Sequence, residues 1–285
     1  MSDELSDEPE VFEFNLHAGT NDFYEDTTYY DYEFKDRRED VRFYGEHYLQ
    51  VEEGWALEIG VGTGRLAIPA VRRGAKVFGL DLHQGMLDAA ERHRLRLPSK
   101  KQDNLRLQRA DMRSFELGER FPLITCPFNV LQHMYENEDW EQALAQVKAH
   151  LEPGGLFIFD VLFPDLEYLN RPPFQRFRGI DFKHPTWGCL YNYSEQSAYD
   201  PVRQLNHMFL YYEKIDPDGQ APAGAPDEHK IQLSHRYVFP QELESMLQRA
   251  GFEVLTRHGG FEGEPLGQGE SMLYLCGHAS QASDS

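Results

Sequence analysis

The chain is short of cysteine, short of cations and without a long apolar run, and each shortage excludes something. Its three cysteines, Cys126, Cys189 and Cys276, lie far apart in 285 residues. They match neither a disulfide framework nor a zinc-ligand spacing, so reduced and mostly buried thiols are expected, with no metal. No stretch approaches the roughly 20 apolar residues of a membrane span. Lys and Arg number 28 against 48 Asp and Glu, for a net charge of −20. Residues 1–53 alone carry 17 of the acids and four of the cations. Such a surface repels phosphate backbones and anionic lipid, which argues against nucleic-acid and membrane partners. The same field favours a cationic substrate, although a solvated acidic tail accounts for most of the charge. The opening MSDELSDEPE is the opposite of a secretory signal, so a cytoplasmic protein is expected.

What is present suits a globular enzyme: 40% hydrophobic residues, enough for one large domain or two small ones. Residues 1–20 lack periodicity and are expected to form a disordered acidic tail. Residues 21–50 are aromatic and charged, and the spacing of Phe34, Val41, Tyr44 and Tyr48 suits an amphipathic helical cap. Strand and helix signals then alternate, as in a parallel sheet covered on both faces. Strands are predicted at 55–60, 76–82, 105–110, 123–128 and 156–162, with helices at 65–73, 85–96 and 140–151, the last stopped by EPGG. From 166 to 238 the period shortens to alternating runs separated by turns, which reads as an antiparallel β insertion forming a substrate lid. A helix at 240–250 and strands at 253–257 and 271–276 complete the core, which spans 51–165 and 239–279.

ALEIGVGTGRLAIPA, residues 56–70, is a strand, a glycine turn and a helix. It fails as a P-loop, since Gly60 to Gly64 is too short and Arg65–Leu66 stands where Lys-Ser/Thr is needed. A dinucleotide fingerprint wants a small residue at position 65, where the chain has Arg65. Glu58, two residues ahead of the turn, would repel a pyrophosphate and suits a cation. Asp81 ends the second strand, where an acid accepts from ribose hydroxyls, and Asp111 follows the third, where it can accept from an adenine amine. A turn, ribose, adenine and a cationic portion without a phosphate grip fit S-adenosylmethionine.

LEIGVGTGR, GLDLHQGML and RADM together resemble the cofactor motifs of class I S-adenosylmethionine-dependent methyltransferases, over about residues 30–279. The resemblance implies an α/β fold: a Rossmann-like seven-stranded sheet with an antiparallel last strand, here with an inserted antiparallel β lid. It also implies cofactor contacts by Glu58, Gly60, Gly62 and Gly64 around the methionyl part and by Asp81 and Leu82 at the ribose. Asp111 would meet the adenine, with Met86 and Met112 near the nucleoside and Pro127 at the end of the fourth strand. The two methionines are equally at home in the core.

ITCPFNVLQHM, residues 124–134, falls where the fourth strand meets the reacting groups, since ligands of open α/β sheets bind beyond the carboxyl ends of strands. Methyl transfer is an in-line displacement that needs alignment and, for a protonated nucleophile, a base. His133 is the natural candidate near neutral pH, although a lone loop histidine is more often a surface or capping residue. Cys126, Phe128, His133 and Met134 match a Cys-x-Phe-x4-His-Met run of macrolide aminosugar N,N-dimethyltransferases, and Phe163-Pro164 matches their FP. The segment FEGEPLGQGE before the last strand lacks the arginine expected of those enzymes, which argues against an aminosugar nucleotide.

Tyr30 and Tyr32 are candidates to close over the cofactor, since aromatics attract a sulfonium. Tyr30, Asn129, Phe163, Tyr191 and Tyr193 are candidates for the acceptor site, with Tyr191, Tyr193, His207, Phe209 and Tyr211 expected on one inward face of the insertion. The expected reaction is methyl transfer to a nitrogen or oxygen of a small molecule, with a homodimer allowed. Two alternatives stay open: a nicotinamide-dependent oxidoreductase and a cofactor-binding module without turnover.

Overall fold

The computed structural model describes residues 16–173, 175–216 and 221–279. The expected acidic tail lies largely outside them. Its last residues, 16–20, belong to the first helix, so the tail does not extend to residue 20 as the sequence suggested.

The cap is three short helices rather than one: α1 (Leu16–Glu25), α2 (Thr27–Glu33) and α3 (Glu39–Leu49). Asp26 makes the first break, its carboxylate accepting from the N–H groups of Thr28 and Tyr29 as a helix N-cap. The same carboxylate accepts from the Thr186 hydroxyl at 2.6 Å, tying the cap to the insertion.

The core runs β1 (Ala56–Ile59), α4 (Ala67–Arg73), β2 (Val77–Asp81), α5 (Gln84–Arg94), α6 (Ser99–Gln102), β3 (Leu105–Arg109) and β4 (Phe121–Cys126). A 3-10 turn (Val130–His133), α7 (Asn137–His150), β5 (Leu151–Leu162) and α8 (Leu166–Leu169) follow. After the insertion come α9 (Pro240–Arg249), β10 (Phe252–His258) and β11 (Ser271–His278). The seven strands lie in the order β3-β2-β1-β4-β5-β11-β10. β11 is antiparallel to β5 and to β10, while the other pairings are parallel.

Alternate residues of the buried strands feed two cores, one on each face, as a doubly covered sheet requires. Leu57, Ile124, Phe157 and Phe159 pack with Trp140, Leu144 and Leu247 of α7 and α9. Ala56, Val77, Ile158 and Leu273 pack with Tyr44, Tyr48, Val71 and Leu87 of α3, α4 and α5. The EPGG segment does not separate helix from strand. Leu151 already pairs with Phe121, both fully buried, and a register shift then takes up the prolyl and glycyl residues within β5.

The insertion is a four-stranded antiparallel sheet of β6 (Phe177–Lys183), β7 (Leu190–Asp200), β8 (Leu205–Ile215) and β9 (Glu228–Arg236), in that order. Helix α1 lies against β9 and α5. The β7–β8 hairpin turns at residues 201–204, with Gln204 at φ +57°, and pairs Tyr193 with Tyr212 and Glu195 with Leu210. His207, Phe209 and Tyr211 therefore lie on the opposite face from Tyr193, one residue out of phase with the expectation. Among the described residues no helix is long and apolar enough to cross a membrane.

Candidate active site

The glycine turn grows out of β1. Gly60 and Gly62 have φ of +76° and +56°, a region that favours glycine. A Cβ on Gly60 would run into Val130, whereas one on Gly62 would meet only the Tyr30 hydroxyl, at 3.8 Å. Gly60 therefore admits the 3-10 turn, and Gly62 keeps a space open. The Gly62 N–H donates to Asp81 Oδ2 at 2.8 Å, and the His83 N–H donates to Asp81 Oδ1 at 2.8 Å. Each carboxylate oxygen keeps a further lone pair for a hydroxyl.

Arg65, the residue that spoils the dinucleotide fingerprint, has a structural task. Its guanidinium donates to both oxygens of the buried Asp40 of α3, at 3.0 and 2.6 Å, and Arg37 donates to the same carboxylate at 3.0 Å. Both guanidinium groups also lie over the Phe128 ring, at 4.8 and 4.9 Å. Phe128 and its neighbour Asn129 are left-handed, with φ of +59° and +63°, a strained backbone for side chains of this kind. Asp160 holds them there, its Oδ1 and backbone carbonyl accepting from the N–H groups of Phe128 and Asn129 at 2.9 and 3.2 Å. Gln132 then pins the turn at both sides, accepting from Leu162 N–H at 2.9 Å and donating to the Arg236 carbonyl at 3.0 Å.

This clamp fixes His133. Its Nε2 is hydrogen-bonded to the Tyr24 hydroxyl of α1 at 2.8 Å, and its buried Nδ1 has no hydrogen-bond partner among the described residues. Burial pushes the imidazole down to about 4. The ring is therefore neutral, but it does not titrate near pH 7 as expected from a histidine's ordinary range. The His235 ring from β9 stands edge-on to it, 5.1 Å between centroids. Burial, with the neighbouring His133, holds His235 well below its ordinary value too.

Each member of this histidine pair lines a different cavity, His133 the smaller and His235 the larger. The first, about 150 Å³, is lined by Gly60, Gly62, Asp81, Leu82, Met86, Asp111, Met112 and His133. Tyr24, His83 and Phe128, which the sequence did not single out for it, share that wall with Tyr30. The second, about 980 Å³, is lined by Phe163 and Tyr193, and by His235, Glu195, Tyr168 and Tyr212 besides.

Other expected residues lie elsewhere. Tyr30 faces the first cavity rather than an acceptor site, while Tyr32, two residues along the same helix, turns the other way. Tyr32 packs under Lys35 and beside Phe182. Positions two apart on a helix do not share a face, so both tyrosines could not have served one cavity. Tyr191 is fully buried in the insertion, its hydroxyl donating to the Pro226 carbonyl at 2.6 Å, and lines neither cavity. Gly64 backs onto Ile68 and Ala90, and Pro127 and Asn129 are buried off the cavity surfaces. Asp111 lines the first cavity, but Arg113 grips both its oxygens, at 2.6–3.2 Å, and holds its carboxyl below the usual range. Glu58 is 1% exposed and lies behind the wall, with one oxygen unpartnered. Burial pushes its carboxyl up to about 8, opposed by Tyr48 and Arg65.

A buried carboxyl with an unsatisfied oxygen, an open glycine cradle and an acid at the end of β2 fit a nucleoside bearing a cation better than a diphosphate. Comparison with known proteins agrees. Residues 56–155 match the family model of a methyltransferase domain. A dTDP-3-amino-3,4,6-trideoxy-alpha-D-glucopyranose N,N-dimethyltransferase of Streptomyces venezuelae is 31% identical over 104 residues, 36% of this chain and 40% of the relative. The chain thus spans less than half the length of that curated relative. The CcbJ methyltransferase from Streptomyces caelestis superposes with a TM-score of 0.72 at 23% identity, covering 86% of this chain and 95% of its own. CalS10 of Micromonospora echinaspora, an S-adenosylmethionine-bound amino pentose methyltransferase of calicheamicin biosynthesis, gives 0.65 at 19% identity, with 95% and 99% covered. Strand order, motif positions and the matched region agree: the chain has the fold of class I S-adenosylmethionine-dependent methyltransferases, and its residues 56–155 match a methyltransferase-domain model.

Proposed function

We propose that the protein is an S-adenosylmethionine-dependent methyltransferase that acts on a nitrogen or oxygen of a small molecule. The observation that carries this reading is the His133–His235 pair: His133 lines a cavity walled by the glycine turn, Asp81 and Asp111, and His235, 5.1 Å away between ring centroids, lines a second cavity large enough for an acceptor. When bound, S-adenosylmethionine supplies a methyl group on a sulfonium, which passes to the acceptor lone pair as the carbon–sulfur bond breaks.

The chain's residues would hold and orient. Asp81 accepts from the ribose hydroxyls, Gly62 leaves room for the nucleoside, and Met86 and Met112 give an apolar wall. The Glu58 carboxyl, short of a partner, offsets positive charge near the turn. Asp111 keeps Arg113 at the rim and has little acceptor capacity left for an adenine amine. Tyr24 closes the cavity from the cap and orients the His133 ring. His133, neutral at physiological pH, accepts the proton that the acceptor nitrogen or oxygen must shed. Alignment of acceptor and methyl between fixed walls contributes on the order of 7–11 kcal/mol to such a displacement.

Calorimetry with S-adenosylhomocysteine tests the reading: a 1:1 isotherm is expected, and no heat at millimolar ligand would end it. Arg65 engaged with Asp40 leaves the nicotinamide alternative without a phosphate contact at the turn.

A further inference from the structure

The larger cavity has a chemical character that its apolar walls alone do not explain. Among the described residues five carboxylates, Glu33, Asp165, Glu167, Glu195 and Glu270, line it against a single Lys or Arg, Arg171. Arg171 is already engaged, 3.9 Å from Glu195 and stacked over the rings of Tyr168 and Phe177 at 4.7 and 4.6 Å. The FEGEPLGQGE segment reaches this wall and contributes Glu270 with no cation. Glu195 is held in place on β7: the Tyr168 hydroxyl donates to one oxygen at 2.9 Å and the Tyr193 hydroxyl to the other at 3.1 Å. Burial and the Glu195 charge push both phenols upward, so they remain donors. A carboxylate accepts about four hydrogen bonds; Arg171 lies beside the oxygen that Tyr168 holds, and the oxygen held by Tyr193 keeps a free lone pair. Tyr29 and Tyr212 add aromatic faces, which attract a cation. His235 also lines the cavity; it is 8% exposed, and its buried Nδ1 has no hydrogen-bond partner among the described residues.

We infer that the acceptor carries a basic amine and no phosphate, and that Glu195 is the specificity residue that receives the amine between the Tyr168 and Tyr193 hydroxyls. The inference rests on the methyltransferase reading and names its substrate class. It separates this chain from relatives named for nucleotide-linked sugars: a diphosphate would enter a wall of carboxylates with its one guanidinium already paired.

Three matched probes test it on the full chain, with S-adenosylhomocysteine binding measured first. The probes are the phenyl glycoside of a 3-amino-3,6-dideoxyglucose, its 3-hydroxy counterpart and the thymidine-diphosphate ester of the same aminosugar. With the cofactor product saturating, the amine is expected to bind at least about tenfold tighter than either of the others, as one charge-assisted hydrogen bond allows. Glu195→Gln should bring amine and hydroxyl probes within about twofold while the S-adenosylhomocysteine Kd holds, because only the charge-assisted contact is lost. Glu195→Asp should keep the preference at reduced affinity, and covers the case in which the glutamine variant fails to fold. Equal amine and hydroxyl affinity, tight diphosphate binding, no amine binding at millimolar concentration, or a preference that survives Glu195→Gln would overturn the inference. Failure to bind S-adenosylhomocysteine would instead strike the methyltransferase reading.

Discussion

Glu58 sits where β1 runs into the glycine turn, and its carboxyl, pushed up to about 8, is mostly protonated at pH 7. A cation arriving nearby favours the charged form, so cofactor binding should expel a proton. Calorimetry at pH 7 in buffers of different ionisation enthalpy should show release of up to about one proton, and Glu58→Gln should abolish the buffer dependence. His133 shifts in the opposite direction. Because burial takes it to about 4, it is already neutral from pH 6 upward. The His133 limb of the kcat profile should therefore be flat above pH 6 and fall only on the acid side. His133→Gln should lower kcat roughly 100-fold or more while changing the S-adenosylhomocysteine Kd little, as loss of a general base does. An unchanged kcat would remove the base role.

Whole elements depend on a few such contacts. The cap helix α3 is fastened to the core by Asp40, whose side chain is 2% exposed between Arg65 and Arg37. Asp40→Ala leaves Arg65 buried without its partner and should cost about 3–5 kcal/mol in denaturant unfolding, with Asp40→Asn in between. This also shows how much the sequence could tell. The strands and helices of the core, and Gly60, Gly62, Asp81 and Asp111 on its loops, were legible because periodicity and turn chemistry are local signals. The role of Arg65 was legible only as a misfit, since its partner lies 25 residues away in a helix whose docking no local pattern encodes. Tyr24 and His235 escaped notice for the same reason: each reaches His133 across about a hundred residues of chain. The phase of β8 was misread because one left-handed residue, Gln204, sets where the hairpin turns.

At the scale of the molecule, buried titratable groups set an acid limit on stability. His133, His184, His207 and His235 are all held below the ordinary histidine value, the first and second at about 4. An unfolded histidine binds its proton near 6.5, so between about 6.5 and 4 the unfolded chain takes up protons that the folded chain refuses. The contribution is full above pH 6.5 and is lost as pH falls through that window. Glu58 has the reverse sign, since its raised value favours the folded form most at low pH and fades as pH rises toward 8. The melting temperature should fall on acidification below 6.5, and replacing His133 and His235 together with glutamine should flatten that slope if the fold is kept.

The Tyr24–His133 bond has one more consequence. Asn21 and Tyr24 of α1 wall the smaller cavity, so on the methyltransferase reading a motion of α1 that opens this wall would also break the Tyr24–His133 bond. Commitment to reaction would then be coupled to the docking of a ten-residue helix. Turnover would then be paced by how fast that helix seats, and increasing solvent viscosity should slow it even where the chemistry itself is fast.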